Sequence, residues 1–485
     1  MRYSVAATEQ TYNDLRSHLT REDGQEDLCF AIWHPSKGKE RNTAILRTVL
    51  RPGDGDRQVH GNTSFNSSFF DRAMGEALAV GGGIAFLHSH PGGVGWQKMS
   101  QDDIVAEQIR LAPSVWGATK LPLVGLTLGT GDGILSARFW ERIGPKKYGK
   151  QLCESVRVVG EGLSISYGSQ VTTPRHRKSQ VRTVAAWGPE AQDRLARLKV
   201  GIVGLGSVGS VVAEALARTG VQRIQLIDYQ AIEEANLDRT LHATERDARR
   251  RSPKVTIAAR AMRRSATANG FKVQADEFSI CEEEGYRRAL DCDVLFSCVD
   301  RPWARSVLNF IAYAHLIPVI DGGILVNRTS SGSLRGASWK AHVVGPSYRC
   351  LRCLGQYEAG LVEADRRGDL DNTSYIESLP EVHPARANEN VFGFSLSTAS
   401  LEFLQLLMLV VQPLGLRGGR PQNYHLLTGQ IDLGGTECDS DCPFPELIAT
   451  GDSHHPGTGR HVAAEVARME RSRPSWSRWL RKQKK

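Results

Sequence analysis

Residues 198–229 read "LKVGIVGLGSVGSVVAEALARTGVQRIQLIDY" and predict a strand, a glycine turn, a helix and a second strand within about thirty residues. Gly204, Gly206 and Gly209 have the spacing that lets backbone amides at the start of a helix approach phosphate groups. Asp228 ends the second strand, nineteen residues after Gly209, where a carboxylate can bond ribose hydroxyls. The stretch predicts the opening unit of a doubly wound α/β sheet that binds a nucleotide, and by itself it would suggest a nicotinamide dehydrogenase.

The residues that follow change this interpretation. The segment "IDYQAIEEANLDRTLH" at 227–242 resembles the nucleotide-binding stretch of the ThiF/MoeB and ubiquitin-activating-enzyme family, in which Asp-x-Asp precedes Asn-Leu-x-Arg. Asp228, Asn236 and Arg239 match that pattern, while Gln230 stands in place of the second aspartate. The resemblance covers about 270 residues, and its further matches are Arg182 before "WGPEAQ", Lys254 in "SPKV", Asp300 in "LFSCVD" and the cysteine pair of "CLRC".

This resemblance implies adenylation of a protein's carboxyl terminus rather than hydride transfer. Arg182, Arg239 and Lys254 would offset the charge that spreads over the phosphates of ATP when a carboxylate attacks. Asp300 would hold Mg²⁺, and Arg182 would reach into the neighbouring subunit, so a homodimer is expected. The expected nucleotide-binding residues are Gly204, Gly206, Gly209, Asp228, Asn236, Arg239 and Lys254.

Two cysteine pairs predict a second kind of site. Cys350 and Cys353 form Cys-x-x-Cys, and Cys438 and Cys442 form a wider Cys-x3-Cys about eighty-five residues later. Four thiolates favour a closed, structural zinc site with no open position for chemistry. The alternatives are core cysteines or a redox pair.

The segment between the first cysteine pair and the last long helix, residues 355–397, contains no cysteine. Ubiquitin-activating enzymes carry a nucleophilic cysteine in the corresponding segment. Either the reaction stops at the adenylate, which we favour, or a hydroxyl of Thr373, Ser374 or Ser378 carries an ester. Buried core thiols are expected for the remaining cysteines, Cys29, Cys153, Cys281, Cys292 and Cys298.

A separate motif lies at 88–103, "HSHPGGVGWQKMSQDD", after the apolar run "GGGIAFL". Two histidines two residues apart at a strand end point to the same side, and a glycine-rich turn can return the chain so that a carboxylate completes three ligands. Such a set favours zinc with an open fourth position. For His88 and His90 alone, a turn with polar residues would explain the pattern equally well.

The run resembles the JAB/MPN family of zinc metalloproteases, whose JAMM motif is His-Ser/Thr-His-Pro followed by Ser-x-x-Asp. The matching residues are His88, Ser89, His90, Pro91, Ser100 and Asp103, and the intervening loop is two residues longer than usual. Asp103 is the expected third ligand, with Asp102 as the alternative. The resemblance implies a general base, for which Glu26 stands in the expected place and Glu22 is the alternative, and it implies that Ser100 steadies an oxyanion.

Composition and charge are those of a folded soluble protein, with 485 residues, 40% hydrophobic and 24% charged. We expect a JAB/MPN-like α/β domain at 1–155, a linker at 156–180, a Rossmann-like ThiF-type domain at 181–450 and a basic tail at 451–485. The tail holds nine Lys and Arg against three Asp and Glu, within a net charge of +8. Its composition favours a solvated end over a nucleic-acid contact.

The start lacks the apolar core of a signal peptide, and the longest apolar stretch is far shorter than a membrane span, so we expect a cytoplasmic protein.

Together these patterns predict a fusion of a zinc isopeptidase with an adenylating enzyme, both acting on one ubiquitin-like protein. The resemblance implies a bacterial ubiquitin-like conjugation pathway, with antiviral defence as a candidate role and a conjugating enzyme as a candidate partner. One alternative is activation of a sulfur carrier for cofactor or amino-acid synthesis. An alternative of another class is a binding scaffold with decayed sites.

Overall fold

The computed structural model describes residues 1–60, 62–379 and 389–472. Within these residues the chain forms two large sheets, each with helices packed on both faces. We call residues 1–167 the N-terminal domain and residues 178–472 the C-terminal domain.

The N-terminal domain is built on a nine-stranded mixed sheet with strand order β11-β10-β1-β3-β2-β6-β7-β8-β9. The strands of the domain are β1 (Arg2–Thr8), β2 (Leu28–Lys37), β3 (Arg41–Leu50), β4 (Arg57–His60), β5 (Asn62–Phe65), β6 (Gly83–His90), β7 (Leu123–Gly129), β8 (Leu135–Gly144), β9 (Lys147–Leu152), β10 (Ser155–Val159) and β11 (Leu163–Tyr167). Its helices are α1 (Glu9–Leu19), α2 (Ser67–Ala79), α3 (Gln101–Ile104) and α4 (Ala112–Thr119), with a π-helical stretch at Val105–Leu111 between the last two.

Strand β2 shows why the strands of this sheet are continuous apolar runs in the sequence. Its residues 28–33, "LCFAIW", are all buried, because α1 covers one face of the sheet while α2 and α4 cover the other. A strand buried on both faces needs apolar residues at every position. β2 pairs antiparallel with β6 in a register that places Leu28 opposite His88.

The predicted linker at 156–180 is corrected by the structure. β11 and all of β10 except Ser155 lie within it, and β10 pairs in parallel with β1, so the N-terminal sheet continues to Tyr167. The polar run at 168–180 has the composition of a linker, whereas the two strands before it are only five residues long and carry too short a pattern to predict a strand. Only the stretch from 168 to 177 connects the two domains without helix or strand.

The C-terminal domain has an eight-stranded sheet with strand order β14-β13-β12-β15-β16-β17-β18-β19. Its strands are β12 (Lys199–Val203), β13 (Arg223–Ile227), β14 (Lys272–Asp276), β15 (Val294–Ser297), β16 (Val319–Arg328), β17 (Leu334–Val344), β18 (Gln422–His425) and β19 (Gln430–Leu433). Its helices are α5 (Val181–Trp187), α6 (Pro189–Arg197), α7 (Ser207–Thr219), α8 (Glu245–Arg250), α9 (Lys254–Ser265), α10 (Glu283–Ala289), α11 (Pro302–Ala314), α12 (Ala359–Arg367), α13 (Thr373–Ser378), α14 (Phe392–Val410) and α15 (Val462–Ser472).

The first five strands of this order run parallel, and the strand order reverses between β12 and β15. In a doubly wound sheet, ligands bind outside the carboxyl ends of the strands at such a switch point. The predicted Rossmann-like α/β fold is confirmed, with antiparallel strands β17, β18 and β19 added at one edge.

Helix α14 is the one helix of the described residues that is long and apolar enough to cross a membrane, with a mean hydropathy of 1.4. It packs against β16, β17 and α7, and it buries the polar side chains of Glu402 and Gln405 within the domain. We therefore interpret it as a core helix of the C-terminal domain.

The two domains meet through a buried group of charges. Arg41 on β3 lies 2.5 Å from the Asp293 carboxylate, which precedes β15, and Arg157 on β10 lies 3.4 Å from the same carboxylate. Arg157 also donates to the carbonyl oxygen of Leu316 at 3.0 Å. All three charged side chains are buried, so each depends on the other domain for its partner.

The expected solvated tail is also corrected in part. Residues 451–472 pack on the C-terminal domain, where Arg468 of α15 pairs with Glu282 at 2.5 Å and Arg471 pairs with Glu277 at 2.6 Å. Composition could not reveal these contacts because both carboxylates lie far away in the sequence. The remaining tail residues, 473–485, lie outside the described residues.

Candidate active sites

His88 and His90 end strand β6, and Asp103 lies in the first turn of α3. The Nε2 atoms of the two histidines are 3.3 Å apart, and Asp103 carboxylate oxygens lie 3.3 Å from His88 Nε2 and 3.7 Å from His90 Nε2. Tetrahedral zinc with bonds of about 2.0–2.2 Å places neighbouring ligand atoms about 3.3–3.6 Å apart. The donor set therefore fits zinc with three protein ligands.

Asp103 belongs to this cluster, whereas the alternative Asp102 is exposed and lies outside it. Burial alone would raise the pKa of Asp103, but hydrogen bonds from His88 and His90 outweigh it and hold the pKa well below its usual value. The carboxylate is therefore ionised and ready to bind a cation.

Ser100, the predicted oxyanion contact, caps helix α3 in the structure, and its hydroxyl proton is left free to donate by this contact. Its hydroxyl oxygen accepts a hydrogen bond from Asp103 N at 3.1 Å, while Ser100 N donates to Asp103 Oδ2 at 2.7 Å. This capping box at the start of α3 fixes the aspartate side chain toward the histidines. The contact with Asp103 lets Ser100 position that carboxylate, and the predicted oxyanion contact of Ser100 stays a prediction.

Glu26 precedes β2 at the point where that strand meets the end of β6, since Ser89 N donates to the carbonyl of Asp27 at 3.0 Å. Partial burial raises the pKa of Glu26, and the positive charges of His88 and His90 counteract part of the shift. The Glu26 carboxylate thus lies within electrostatic reach of the cluster. Glu22, the alternative, is exposed and lines a separate surface pocket.

A buried ion pair that no sequence motif predicts lies behind the cluster. Glu107, in the π-helical stretch, accepts from Arg138 Nε at 2.8 Å and from Trp140 Nε1 at 2.7 Å. Arg138 also donates to the hydroxyl of Thr127 at 2.7 Å, and that hydroxyl lies 3.4 Å from His88 Nε2. No local pattern signals this network, because its members come from different elements.

The glycine loop between β12 and α7 lies at the switch point of the second sheet. Gly204 has a φ of +89°, and a Cβ there would overlap the carbonyl oxygen of Cys298. A Cβ on Gly209 would overlap the carbonyl oxygen of Gly204, whereas the space beside Gly206 is open. Gly204 and Gly209 therefore allow the tight turn, and Gly206 leaves room for a ligand.

Asp228 at the end of β13 is buried and organises this loop. One carboxylate oxygen accepts from Leu205 N at 2.7 Å, and the other accepts from Gln230 N at 2.7 Å. The residue joins the glycine loop to the segment that follows β13, and each oxygen keeps a lone pair for a further donor.

The structure brings the predicted cationic side chains, those of Arg182, Arg239 and Lys254, only partly together. Lys254, at the start of α9, donates from Nζ to Gln230 Oε1 at 2.6 Å. Arg239 instead donates to Ala235 O at 2.6 Å within its own turn, where it also pairs with Asp238. In the same turn, Asn236 Oδ1 accepts from Glu233 N at 3.1 Å.

Asp300 and Arg182 are both exposed. Asp300 follows β15 at the carboxyl edge of the sheet, and its neighbour Arg301 pairs with Asp371 at 2.5 Å. Arg182 lies in the first turn of α5, outside the Lys254–Gln230 contact. An exposed position is compatible with the predicted reach toward a second subunit.

The four cysteines of the two pairs do converge. The sulfur atoms of Cys350, Cys353, Cys438 and Cys442 all lie within 4.8 Å of one another. Cys350 Sγ is 3.6 Å from Cys442 Sγ, and Cys350 N donates to Cys438 Sγ at 3.3 Å. The donor set fits a closed tetrahedral zinc site, and the extra residue in Cys-x3-Cys is accommodated. Of the other cysteines, Cys29, Cys153, Cys281 and Cys292 are buried, and Cys298 is partly buried.

Comparison with known proteins identifies the C-terminal domain. The model of the ThiF family matches residues 178–406. The molybdopterin-synthase adenylyltransferase of Salmonella typhimurium is 30% identical over 181 residues, which are 36% of this chain and 67% of that protein. The chain belongs to the ThiF family. The ThiF match contains the glycine loop, Asp228, Lys254 and Asp300.

Other relatives share the ThiF domain but differ in length. The sulfur carrier protein ThiS adenylyltransferase of Bacillus subtilis is 28% identical over 178 residues, covering 37% of this chain and 50% of that protein. The ubiquitin-like modifier-activating enzyme 5 of Drosophila virilis is 30% identical over 148 residues, covering 28% of this chain and 36% of that protein. The chain thus spans half or less of the length of these two relatives.

A crystal structure of E. coli MccB with succinimide has a TM-score of 0.42 and 20% identity, covering 55% of this chain and 74% of that chain. The ThiF family match begins at residue 178, so it does not include the N-terminal domain.

Proposed function

We propose that the ThiF domain uses ATP to adenylate the C-terminal carboxylate of a ubiquitin-like or sulfur-carrier protein. The observation that carries the proposal is the open glycine loop at the switch point, joined through Asp228 to the segment that holds Lys254. Relatives named as activating enzymes for a sulfur carrier and for a ubiquitin-like modifier support this substrate class.

In this reaction a carboxylate oxygen attacks the α-phosphorus of ATP, an acyl-adenylate forms and pyrophosphate leaves. The amides around Gly206 would receive phosphate oxygens, and Lys254 would offset the charge that develops there. Arg239 would join them after releasing the carbonyl of Ala235, and Arg182 would come from a second copy of the chain. Asp300 would hold Mg²⁺, which supplies positive charge beside the leaving pyrophosphate.

Residues 355–397 contain no cysteine, which favours an enzyme that releases or passes on the adenylate itself. The sulfur-carrier alternative rests on the same adenylate, and it would be followed by attack of a sulfur donor. An ester on Thr373, Ser374 or Ser378 remains the second route, although part of the segment, 380–388, lies outside the described residues.

For the N-terminal domain we propose zinc-dependent hydrolysis of a peptide or isopeptide bond, with His88, His90 and Asp103 as ligands. The supporting observation is the match between the three donor distances and a tetrahedral site. Zinc would supply a Lewis acid that polarises the scissile carbonyl. Glu26 would take a proton from the attacking water and pass it to the leaving amine.

We further propose that both activities act on one protein in the cytoplasm, the first by trimming or removing it and the second by activating it. A homodimer would be needed for the contribution of Arg182, and a conjugating enzyme would accept the activated protein. The buried contact between the domains, through Arg41, Arg157 and Asp293, supports a shared partner because it fixes the two sites relative to each other.

The test is ATP–pyrophosphate exchange by the full chain with ubiquitin-like and sulfur-carrier proteins from its genome. Exchange that depends on one such protein and is lost in Asp300→Ala is expected. Thiocarboxylate formation with a sulfur donor would favour the sulfur-carrier route, and covalent target adducts would favour conjugation.

Cleavage of a carboxy-terminal extension from the same protein, lost in Glu26→Gln, is the expected peptidase result. Absence of exchange, of cleavage and of bound zinc would instead favour the scaffold alternative.

A further inference from the structure

The loop at 91–99 carries a side chain that reaches the second nitrogen of a proposed zinc ligand. His90 directs Nε2 at His88 and Asp103, and its Nδ1 lies 3.4 Å from Oε1 of Gln97. Metal-binding histidines usually donate their other N–H to such an acceptor, which fixes the tautomer and the ring orientation. The JAMM pattern, His-Ser/Thr-His-Pro followed by Ser-x-x-Asp, specifies no glutamine between its two parts, and Gln97 lies in the loop that is two residues longer than in that pattern.

The orientation of the Gln97 amide follows from its other contacts. Its Nε2 donates to Val94 O at 3.0 Å and to Gly95 O at 2.9 Å, so both amide protons have acceptors. A carbonyl oxygen cannot donate, and the reversed amide would place Oε1 against two other carbonyl oxygens. The atom facing His90 is therefore the amide oxygen.

An amide oxygen can only accept, so the proton of the neutral His90 ring resides on Nδ1. Nε2 then carries the lone pair, which is the form that binds a metal ion. The contact thus selects the tautomer in which the lone pair points at the other two ligands.

The loop is held so that the amide stays in place. Gln97 N donates to Ser136 Oγ at 2.5 Å, and Gly95 N donates to Asp132 Oδ2 at 2.6 Å. A Cβ on Gly93 would lie 2.6 Å from Gln97 Oε1, and one on Gly129 would lie 3.0 Å from its Nε2. The two glycines leave the space that the glutamine amide occupies.

We propose that Gln97 is a positioning residue of the His88–His90–Asp103 site, where it keeps His90 Nε2 free to bind a divalent cation. This inference rests on the zinc site proposed above. In this proposal the longer loop places the amide oxygen of Gln97 behind the metal ligand His90.

The test measures zinc affinity of the full chain by competition with a chromophoric chelator. His88→Asn identifies which binding step belongs to the N-terminal site, since the four-cysteine site should keep its own step. Gln97→Met removes the acceptor at similar size and should weaken the N-terminal step by roughly ten- to a hundredfold. Gln108→Met is the matched control, because Gln108 also donates from its amide to a carbonyl, that of Tyr148 at 2.7 Å, in the same domain. Its zinc binding should equal that of the wild type.

Gln97→Glu separates positioning of His90 from support of the loop. The carboxylate keeps an acceptor for His90 but turns its other oxygen toward the carbonyl oxygens of Val94 and Gly95, so a zinc affinity between those of Gln97→Met and the wild type is expected. Equal loss in Gln97→Glu and Gln97→Met would show that the side chain only holds the loop and would overturn the inference, as would wild-type affinity in Gln97→Met. If His88→Asn removes no zinc-binding step, the proposed zinc function itself is wrong, and the inference is overturned with it.

Discussion

Lys254 donates a hydrogen bond from Nζ to Oε1 of Gln230 at 2.6 Å. Gln230 stands where the family pattern has a carboxylate. A neutral amide orients the lysine without offsetting its charge. The charge of Lys254 is therefore not offset, and under the proposed function it is available to a phosphate group of ATP although Gln230 departs from the family pattern.

Gln230→Asp should weaken ATP binding by about five- to tenfold, since a carboxylate in contact with Lys254 would cost roughly 1–1.5 kcal/mol of its attraction for phosphate. Calorimetric titration of the full chain with a non-hydrolysable ATP analogue measures this. Gln230→Ala is the control, because it frees Lys254 without adding charge and should bind with near-wild-type affinity. Unchanged binding in Gln230→Asp would contradict the role given to Lys254.

Gly206→Ala and Gly209→Ala should separate ligand binding from folding. The space beside Gly206 is open, so Gly206→Ala should unfold at a temperature close to that of the wild type but lose ATP binding. Gly209→Ala should be destabilised by about 1–3 kcal/mol, because the added methyl group overlaps the Gly204 carbonyl. Thermal unfolding with and without the ATP analogue distinguishes the two. Normal ATP binding by Gly206→Ala would show that the phosphates bind elsewhere.

Zinc analysis should give two ions per chain, falling to one in Cys350→Ser and to one in His88→Asn. Only the four-cysteine site is closed, so Cys350→Ser should also lower the unfolding temperature, whereas His88→Asn should leave it nearly unchanged. Elemental analysis after gel filtration, combined with calorimetric scanning, provides both numbers. Equal destabilisation by the two substitutions would argue that both sites are structural.

Asp293→Asn should destabilise the protein by about 3–5 kcal/mol, since it leaves Arg41 and Arg157 buried without a carboxylate. Glu245→Gln is the control on an exposed pair with Arg249, where the change should stay below about 1 kcal/mol. Urea unfolding followed by tryptophan fluorescence measures both. A similar small effect of the two substitutions would contradict a structural role for the buried charges.

The same carboxylate predicts how stability depends on pH. Burial by itself would raise the pKa of Asp293, but Arg41 and Arg157 outweigh it, so the pKa lies below its ordinary value. A carboxylate with a lowered pKa stabilises the folded state at pH values above its ordinary pKa of about 4. This stabilisation is lost as the pH falls below that ordinary pKa. Asp293→Asn should therefore flatten the stability profile between about pH 4 and pH 2. An acid-unfolding profile identical to that of the wild type would count against this account.

The sequence predicted the features in which a local pattern carries the chemistry. The glycine spacing, the two histidines with Asp103 and the spacing within each cysteine pair are local, so the geometry of a strand end or a turn fixes them. The meeting of the two cysteine pairs, which lie far apart in the chain, was expected instead because four thiolates together favour one zinc site.

The sequence could not predict contacts between residues far apart in the chain. Gln97 against His90 depends on how a long loop folds back, and the Glu107–Arg138 pair joins a π-helical stretch to a strand. Helix α15 escaped prediction because its basic residues are typical of a solvated end, and their carboxylate partners are visible only in the folded domain.

The position of β10 and β11 decides how the N-terminal domain can be studied alone. A fragment ending at residue 155 would lack both strands and would leave the backbone groups of β1 unpaired along one side, beside the buried residues Val5, Ala6 and Ala7. A bare apolar edge of this kind invites pairing with other chains and aggregation. Even a fragment that reaches Tyr167 would carry Arg41 and Arg157 without Asp293, so the peptidase activity proposed for the N-terminal domain has to be assayed in the intact protein.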